Sequence, residues 1–128
     1  MILCLRTDSP EATIELWDGE KRVAIKTWEA GRQLSAQLLP EIDRLLAGRK
    51  KTWNDLSGII VFRGPGSFTG LRIGATVANA MAYSQEIPVV GSAGDDWIRD
   101  GLAALKNGQN NTQVVPEYGA PANITKPK

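Results

Sequence analysis

The stretch with the clearest chemical potential is rich in glycine and runs Gly64-Pro-Gly-Ser-Phe-Thr-Gly-Leu-Arg72. It follows the apolar run 58–62 and opens the longest helix-like segment of the sequence. Such a junction gathers unpaired backbone N–H groups and the positive end of a helix dipole, so an anion or a partner's carboxylate could dock there. The candidate anion contacts are Gly64, Gly66, Ser67, Thr69 and Arg72.

The spacing of these glycines does not fit the known phosphate-binding motifs. Three glycines form G-x-G-x-x-x-G, one residue longer than the dinucleotide fingerprint, and Leu71 stands where a P-loop has lysine. Arg72 is a cation in the first helical turn, where it opposes the dipole, so it should meet a carboxylate or phosphate or point into another contact. The alternative is a purely structural turn from strand to helix, with Ser67 or Thr69 as the helix cap.

Residue types exclude several kinds of catalysis. The chain has no histidine, which excludes a Ser-His-Asp triad, a histidine zinc site and a histidine general base. Its one cysteine, Cys4, can form neither an internal disulfide nor a thiolate cluster, and its apolar neighbours indicate a core residue in a reducing compartment. We therefore predict no catalytic residue and no metal site, and we expect a cytoplasmic protein.

Composition predicts one globular domain. The 128 residues are 42% hydrophobic and 23% charged, which is enough for a single core. Fifteen basic and fourteen acidic residues are spread along the chain, so no basic tract is available to clamp nucleic acid, and any role with RNA would be shared with partners. Neither an apolar run long enough for a membrane span nor a signal-like start is visible.

The elements that would position the glycine-rich stretch begin with three strands in an antiparallel meander. A helix over 35–47 follows, and Pro40 either kinks this helix or marks its first residue. A buried strand, a long helix, a short strand and a last helix complete the pattern. The predicted strands span 2–5, 12–17, 23–28, 58–62 and 88–91, and the later helices span 69 to about 85 and 95–106.

The resulting order is β-β-β-α-β-α-β-α, which predicts an α/β domain with a mixed five-stranded sheet. A ribonuclease-H-like or actin-like half domain has this order of elements. We assign residues 1–107 to the domain and residues 108–128 to a linker and an extended C-terminal tail, because the latter lack periodicity and contain prolines.

The long helix has more apolar surface than one sheet face requires. Gly70, Gly74, Ala78 and Ala82 form a row of small side chains, and a polar stripe consists of Arg72, Thr76, Asn79 and Tyr83. The excess apolar surface indicates contact with another helix, in a partner or in this chain, although the sheet and the first helix could use all of it. The predicted partner-binding residues are Leu38, Ile42 and Leu45 on the first helix and Gly70, Gly74, Val77, Ala78 and Met81 on the second.

The run 64–74 closely resembles the signature of the TsaB (YeaZ-type) family, the non-catalytic partner in bacterial tRNA threonylcarbamoyladenosine synthesis. Segments 2–7, 30–42 and 87–91 resemble the family in the same order, so the resemblance covers about residues 1–95. It implies an actin-like fold and a complex with the TsaD catalytic subunit and the TsaE ATPase. It also implies that the first two helices pack against a partner, or against a second copy when that partner is absent.

Three departures from the family pattern stand out. Arg6 occupies the place of an aspartate that holds metal and phosphate in actin-like relatives, and Leu34 replaces a histidine of the first helix. We also expect the usual second domain to be missing, because the third helix leads almost directly into 116–118 and 121–128, which resemble the family's C-terminal end. A shortened member of this kind would lack the interdomain cleft in which actin-like proteins hold nucleotide.

Taken together, these features predict a scaffold subunit without turnover of its own. It would bind the TsaD-type subunit through its first two helices, contact tRNA only through the complex, and leave ATP and metal to its partners. The alternative is an enzyme, either an actin-like nucleotide-binding phosphotransferase or a glycoprotease-like peptidase. The missing histidines argue against the peptidase, and Arg6 with the missing second domain argues against the nucleotide enzyme.

Overall fold

A computed structural model describes residues 1–117 and shows the predicted order of elements. Residues 118–128 of the predicted tail lie outside this described part. The strands are β1 (Ile2–Arg6), β2 (Glu11–Asp18), β3 (Lys21–Glu29), β4 (Gly58–Phe62) and β5 (Val89–Ser92). The helices are α1 (Leu34–Gly48), α2 (Phe68–Gln85) and α3 (Trp97–Lys106).

The five strands form one mixed sheet in the order β3-β2-β1-β4-β5. β1 pairs antiparallel with β2, and β2 pairs antiparallel with β3, which confirms the predicted meander. β1 pairs parallel with β4, and β4 pairs parallel with β5. Helical crossovers between parallel strands place the glycine-rich loop at the carboxyl edge of the sheet, where β4 ends.

Successive side chains along each strand point to opposite faces of the sheet, so the core has two layers. Leu3 and Leu5 of β1 point toward α1 and α2, whereas Cys4 points toward α3. Two helices thus cover one face of the sheet, and one helix covers part of the other. None of the helices in the described part of the chain combines the length and hydropathy needed to cross a bilayer.

Pro40 lies inside α1, because the helix begins at Leu34, six residues earlier. Pro40 is therefore not the first residue of the helix, which was one of the two predicted alternatives, but lies within it. The side chain of Pro40 is exposed, so the ring projects from the outer side of α1 and leaves the buried stripe of the helix intact. Leu34, in the place of the family's histidine, is one of the buried residues of this stripe.

The segment that follows α3 contains no helix or strand, but hydrogen bonds attach it to the domain. We call residues 109–117 the strap. The backbone N–H of Asn111 donates to the Val89 carbonyl over 2.8 Å, and the side-chain amide oxygens of Asn110 and Asn111 accept from the N–H groups of Val89 and Gly91. The strap therefore pairs with the outer edge of β5. The domain boundary that we predicted at residue 107 stays a prediction.

Thr7, just after β1, fixes the position of α2 on the sheet. Its side chain is completely buried, and its hydroxyl donates to the carbonyl oxygen of Gly70 over 2.7 Å. A Cβ atom at Gly70 would collide with the Thr7 carbonyl, and one at Gly74 would collide with the Thr7 hydroxyl. Only glycine at these two positions allows β1 and α2 to approach so closely.

Replacing Gly74 with alanine should lower the free energy of unfolding by about 1–3 kcal/mol, because the added methyl group overpacks the contact with Thr7. Gly48→Ala is the matched control, since a Cβ there meets nothing within 4 Å, and it should be neutral or stabilising by up to about 1 kcal/mol. Urea unfolding followed by circular dichroism measures both variants. Unchanged stability of Gly74→Ala would show that this contact does not fix the helix.

Candidate functional site

The glycine-rich loop between β4 and α2 packs against the turn that joins β1 to β2. The backbone N–H of Ser67 donates to the carbonyl oxygen of Asp8 over 2.9 Å. A Cβ atom at Gly66 would lie 2.5 Å from that of Asp8 and 2.9 Å from its carbonyl oxygen. This glycine therefore makes room for the neighbouring turn, and the side of the loop that faces Asp8 is occupied by protein.

The strap occupies another side of the loop. Gly64 has a φ of 116°, and a Cβ atom there would collide with the carbonyl oxygen of Glu117. The backbone N–H of Glu117 donates to the Arg63 carbonyl over 2.6 Å, and the two side chains form an ion pair at 3.3 Å. Gly64 and Gly66, two of the predicted anion contacts, are thus packed against the backbone of neighbouring segments and do not line an open pocket.

The start of α2 fits the structural alternative. Ser67 is the N-cap residue, and its hydroxyl accepts from the N–H of Gly70 over 3.4 Å, whereas Thr69 lies exposed within the first turn. The guanidinium of Arg72 lies 5.5 Å from the centre of the Phe68 ring, which is a cation–π contact. The sequence left two alternatives for Arg72, a nearby anion or another contact. The structure shows the second, which is the contact with the Phe68 ring.

Arg6, at the carboxyl end of β1, forms an ion pair with Asp8. Its Nε and a terminal nitrogen donate to the two oxygens of Asp8 over 2.9 and 3.2 Å. Its guanidinium also lies 3.9 Å from the centre of the Phe62 ring. An anion bound at this edge would have to compete with Asp8 for the cation.

Cys4 does not provide a reactive thiolate. Its side chain is fully buried in the layer beneath α3, and burial, with a further contribution from Glu15, raises the pKa of the thiol well above its ordinary value. Nucleophilic chemistry requires the thiolate, which is disfavoured at this position. Within residues 1–117, no group of three or more Cys, Asp and Glu side chains is arranged to hold a metal ion.

A cavity of about 910 Å³ lies between α3 and the strands β1 and β2, away from the glycine-rich loop. Apolar side chains such as Ile2, Trp17 and Leu102 line it. At its rim Asp96 is paired with Arg99 at 3.8 Å. The cavity contains none of the residues predicted to contact an anion or a partner.

Most of the predicted partner-binding residues belong to the chain's own core, which corrects their assignment as surface contacts. The sheet and the opposing helix use the row of small side chains on α2 and the leucine stripe on α1. Leu45 and Val77 are partly buried at the margin of this core, and Gly70 is partly buried against Thr7. The fully or nearly fully buried residues are Leu38, Ile42, Gly74, Ala78 and Met81.

The exposed apolar residues of α1 and α2 are near the predicted ones in sequence, since Leu39 follows Leu38 and Tyr83 lies two positions after Met81. Leu39 on α1 is 43% exposed, and Tyr83 on α2 is 88% exposed. Between the helices, Ile73 and Val77 pack at the rim of the core. We define the helical face as the outer surface formed by these four residues together with the exposed residues Thr76 and Ala80 of α2.

The flank of α1 that carries Leu39 is the one turned toward α2. Gln37, on the opposite flank, accepts from the indole N–H of Trp28 in β3 over 3.0 Å. Glu41 lies on that flank too, where the hydrogen bond from Arg44 lowers the pKa of its carboxyl and Lys26 of β3 contributes in the same direction. With these residues directed to β3, Leu39 faces the groove between the two helices.

Comparisons with known proteins agree with this fold. The family model for TsaD, tRNA N6-adenosine threonylcarbamoyltransferase, matches residues 26–92, just over half of the chain. The TsaB protein of Haemophilus influenzae is 34% identical over 90 residues, which are 70% of this chain and 37% of that protein. The TsaB protein of Escherichia coli is 31% identical over 91 residues, which are 70% of this chain and 38% of that protein. The chain belongs to this family, and within it to the TsaB (YeaZ-type) proteins.

The solved structures lead to the same family. YeaZ from Pseudomonas aeruginosa is 28% identical and superimposes with a TM-score of 0.68, over 84% of this chain and 49% of that one. The predicted actin-like half domain is thereby confirmed. The chain spans less than half the length of these relatives.

The sequence contained a partial signal for the residues that the prediction missed. Thr76 and Tyr83 of the polar stripe lie on the outward side of α2 and mark the region around which the exposed apolar residues lie. For α1, Leu38 and Leu39 are adjacent and therefore about 100° apart, so they cannot both lie at the centre of one buried stripe. Which of the two is buried follows only from the position of the sheet.

We expect no saturable heat when magnesium-ATP is titrated into the isolated chain up to about 1 mM, because Asp8 matches the charge of Arg6 and the loop is filled by neighbouring backbone. Isothermal titration calorimetry measures this directly, and inorganic phosphate in a parallel titration should also give no saturable heat. One-to-one binding of either ligand would contradict this interpretation of the loop.

Proposed function

We propose that the chain is a non-catalytic scaffold subunit in the synthesis of tRNA threonylcarbamoyladenosine and that it binds a TsaD-type catalytic subunit through the helical face. The main support is the distribution of exposed apolar residues. Of the five large hydrophobic side chains exposed within residues 1–117, Leu39 and Tyr83 belong to the helical face, and Phe68 lies in the first turn of α2. Exposed apolar residues concentrated on two adjacent helices favour a protein–protein contact.

The comparisons support a TsaD-type protein as the partner. The matched TsaD family model covers residues 26–92, the segment that contains both α1 and α2. A TsaD-type protein should therefore present a related pair of helices. Two related pairs can pack face to face in a nearly symmetric arrangement of four helices, and two copies of this chain could use the same surface to form a homodimer.

The scaffold role assigns the chemistry to other subunits. The buried Cys4 thiol and the matched Arg6–Asp8 pair favour a chain without turnover of its own. In this proposal ATP and metal are used by the TsaD-type subunit and a TsaE-type ATPase, and the complex is cytoplasmic. Because the net charge is only +1, tRNA would be held mainly by the partners and would meet this chain through the complex.

Leu39→Glu should weaken binding to the TsaD-type subunit of the same genome by about tenfold or more, because it places a charge in an apolar contact. The matched control is Ala103→Glu, which introduces the same charge at an exposed position of α3, on the other side of the sheet. Both variants should fold like the unsubstituted chain, as measured by circular dichroism. Isothermal titration calorimetry gives the affinities.

Normal binding by Leu39→Glu, or equal losses in Leu39→Glu and Ala103→Glu, would contradict the proposed face. Sedimentation velocity of the isolated chain tests the homodimer separately. If the chain self-associates through the helical face, the dimer should dissociate in the Leu39 variant and persist in the Ala103 variant.

A further inference from the structure

The strap is built into the domain beside the helical face. On α2, the side chain of Asn79 binds the backbone of Val114 in both directions. Its amide nitrogen donates to the Val114 carbonyl over 3.0 Å, and its amide oxygen accepts from the Val114 N–H over 2.8 Å. This two-way pairing satisfies both backbone groups of one residue, as a neighbouring strand would.

Packing around Val114 also requires the strap to be in place. Its side chain is buried in the core layer beneath α1 and α2. A Cβ atom at Gly91 would lie 2.7 Å from a methyl group of Val114, so the glycine in β5 leaves room for the strap. The segment is therefore held at β5, at α2 and, through Glu117, at the glycine-rich loop.

Of the two residues between the last two attachment points, Val115 faces outward. Val115 follows the buried Val114 and is 70% exposed, as expected where an extended chain turns successive side chains to opposite sides. Its position is fixed from both ends, by Asn79 at Val114 and by Arg63 at Glu117.

This position lies along the flank of α2 that is turned away from α1. At 100° per residue, Phe68, Arg72, Asn79 and Tyr83 fall within a sector of about 60°. The strap runs from Asn79 toward the loop that precedes Phe68, so Val115 lies beside this sector. With Val115, four of the five large hydrophobic side chains exposed within residues 1–117 lie on α1, α2 or the strap.

We propose that the strap is a third element of the surface that binds the TsaD-type subunit, with Val115 as a contact residue and Asn79 as the residue that positions it. This inference rests on the proposed function. The occupant is an apolar patch of that subunit which extends from Tyr83, at the margin of the helical face, along the flank of α2 to Val115. The strap would widen a two-helix interface and make it specific for this partner.

The test compares two pairs of single variants by calorimetric titration with the TsaD-type subunit. Val115→Lys should weaken binding about fivefold or more, because it places a charge in the apolar contact. The control is Ile25→Lys, which changes the remaining exposed large hydrophobic residue, 46% exposed on β3, in the same way. Ile25→Lys should bind like the unsubstituted chain.

Asn79→Ala tests the positioning role. It should weaken binding to a similar degree and raise amide hydrogen exchange in residues 112–117 while β1 to β4 remain protected. Asn79→Asp retains the acceptor for the Val114 N–H and should recover part of the protection. A purely structural role for Asn79 would raise exchange without any change in affinity.

The outcomes separate the two proposals. If Leu39→Glu abolishes binding while Val115→Lys and Asn79→Ala bind normally, the strap proposal is wrong and the proposed function stands. Equal losses in Val115→Lys and Ile25→Lys also overturn the strap proposal. If Leu39→Glu binds normally, or the unsubstituted chain does not bind the TsaD-type subunit, the proposed function fails and the strap proposal fails with it.

Discussion

The close contact between Thr7 and the first half of α2 determines how the surfaces of this domain are arranged. The buried threonine hydroxyl donates to the carbonyl of Gly70, and Gly70 and Gly74 have no side chain that would hold the helix away. Once the helix axis is fixed this close to β1, Ala78 and Ala82 of the same row must lie on the sheet. The opposite side of α2, with Thr76 and Tyr83, is then the side that faces solvent.

The same need for close packing explains why glycine occupies four positions of the glycine-rich signature. Four glycines of the signature each receive a neighbouring segment: Thr7 at positions 70 and 74, Asp8 at position 66, and Glu117 at position 64. Three parts of the chain that are far apart in sequence therefore meet at one junction, and a larger residue at any of these positions would force them apart. The close contacts at these glycines therefore link the position of α2 to those of the β1–β2 turn and the strap.

The sequence predicted the order and type of the elements well, because the relevant signals are local: alternation in β2, an unbroken apolar run in β4, and helical periodicity in α1 and α2. It did not predict which apolar residues remain exposed. Leu38 and Leu39 differ by one position, and only the tertiary position of α1 between β3 and α2 decides that Leu38 is buried. The attachment of the strap was even more difficult to predict. It depends on hydrogen bonds from amide side chains such as Asn79, whose partner Val114 lies 35 residues away, and such bonds leave no periodic pattern in the sequence.

A chain that covers less than half of its relatives can still present this surface, because the contacts that orient it are local to the described domain. The sheet and Thr7 place α2, α1 packs beside it, and Asn79 with Arg63 holds the strap on the far flank. None of these contacts requires a bound nucleotide or a second domain. A scaffold needs a rigid surface of the right shape, and these contacts hold the two helices and the strap in one arrangement. In this respect the organisation of residues 1–117 suits the partner-positioning role that we propose.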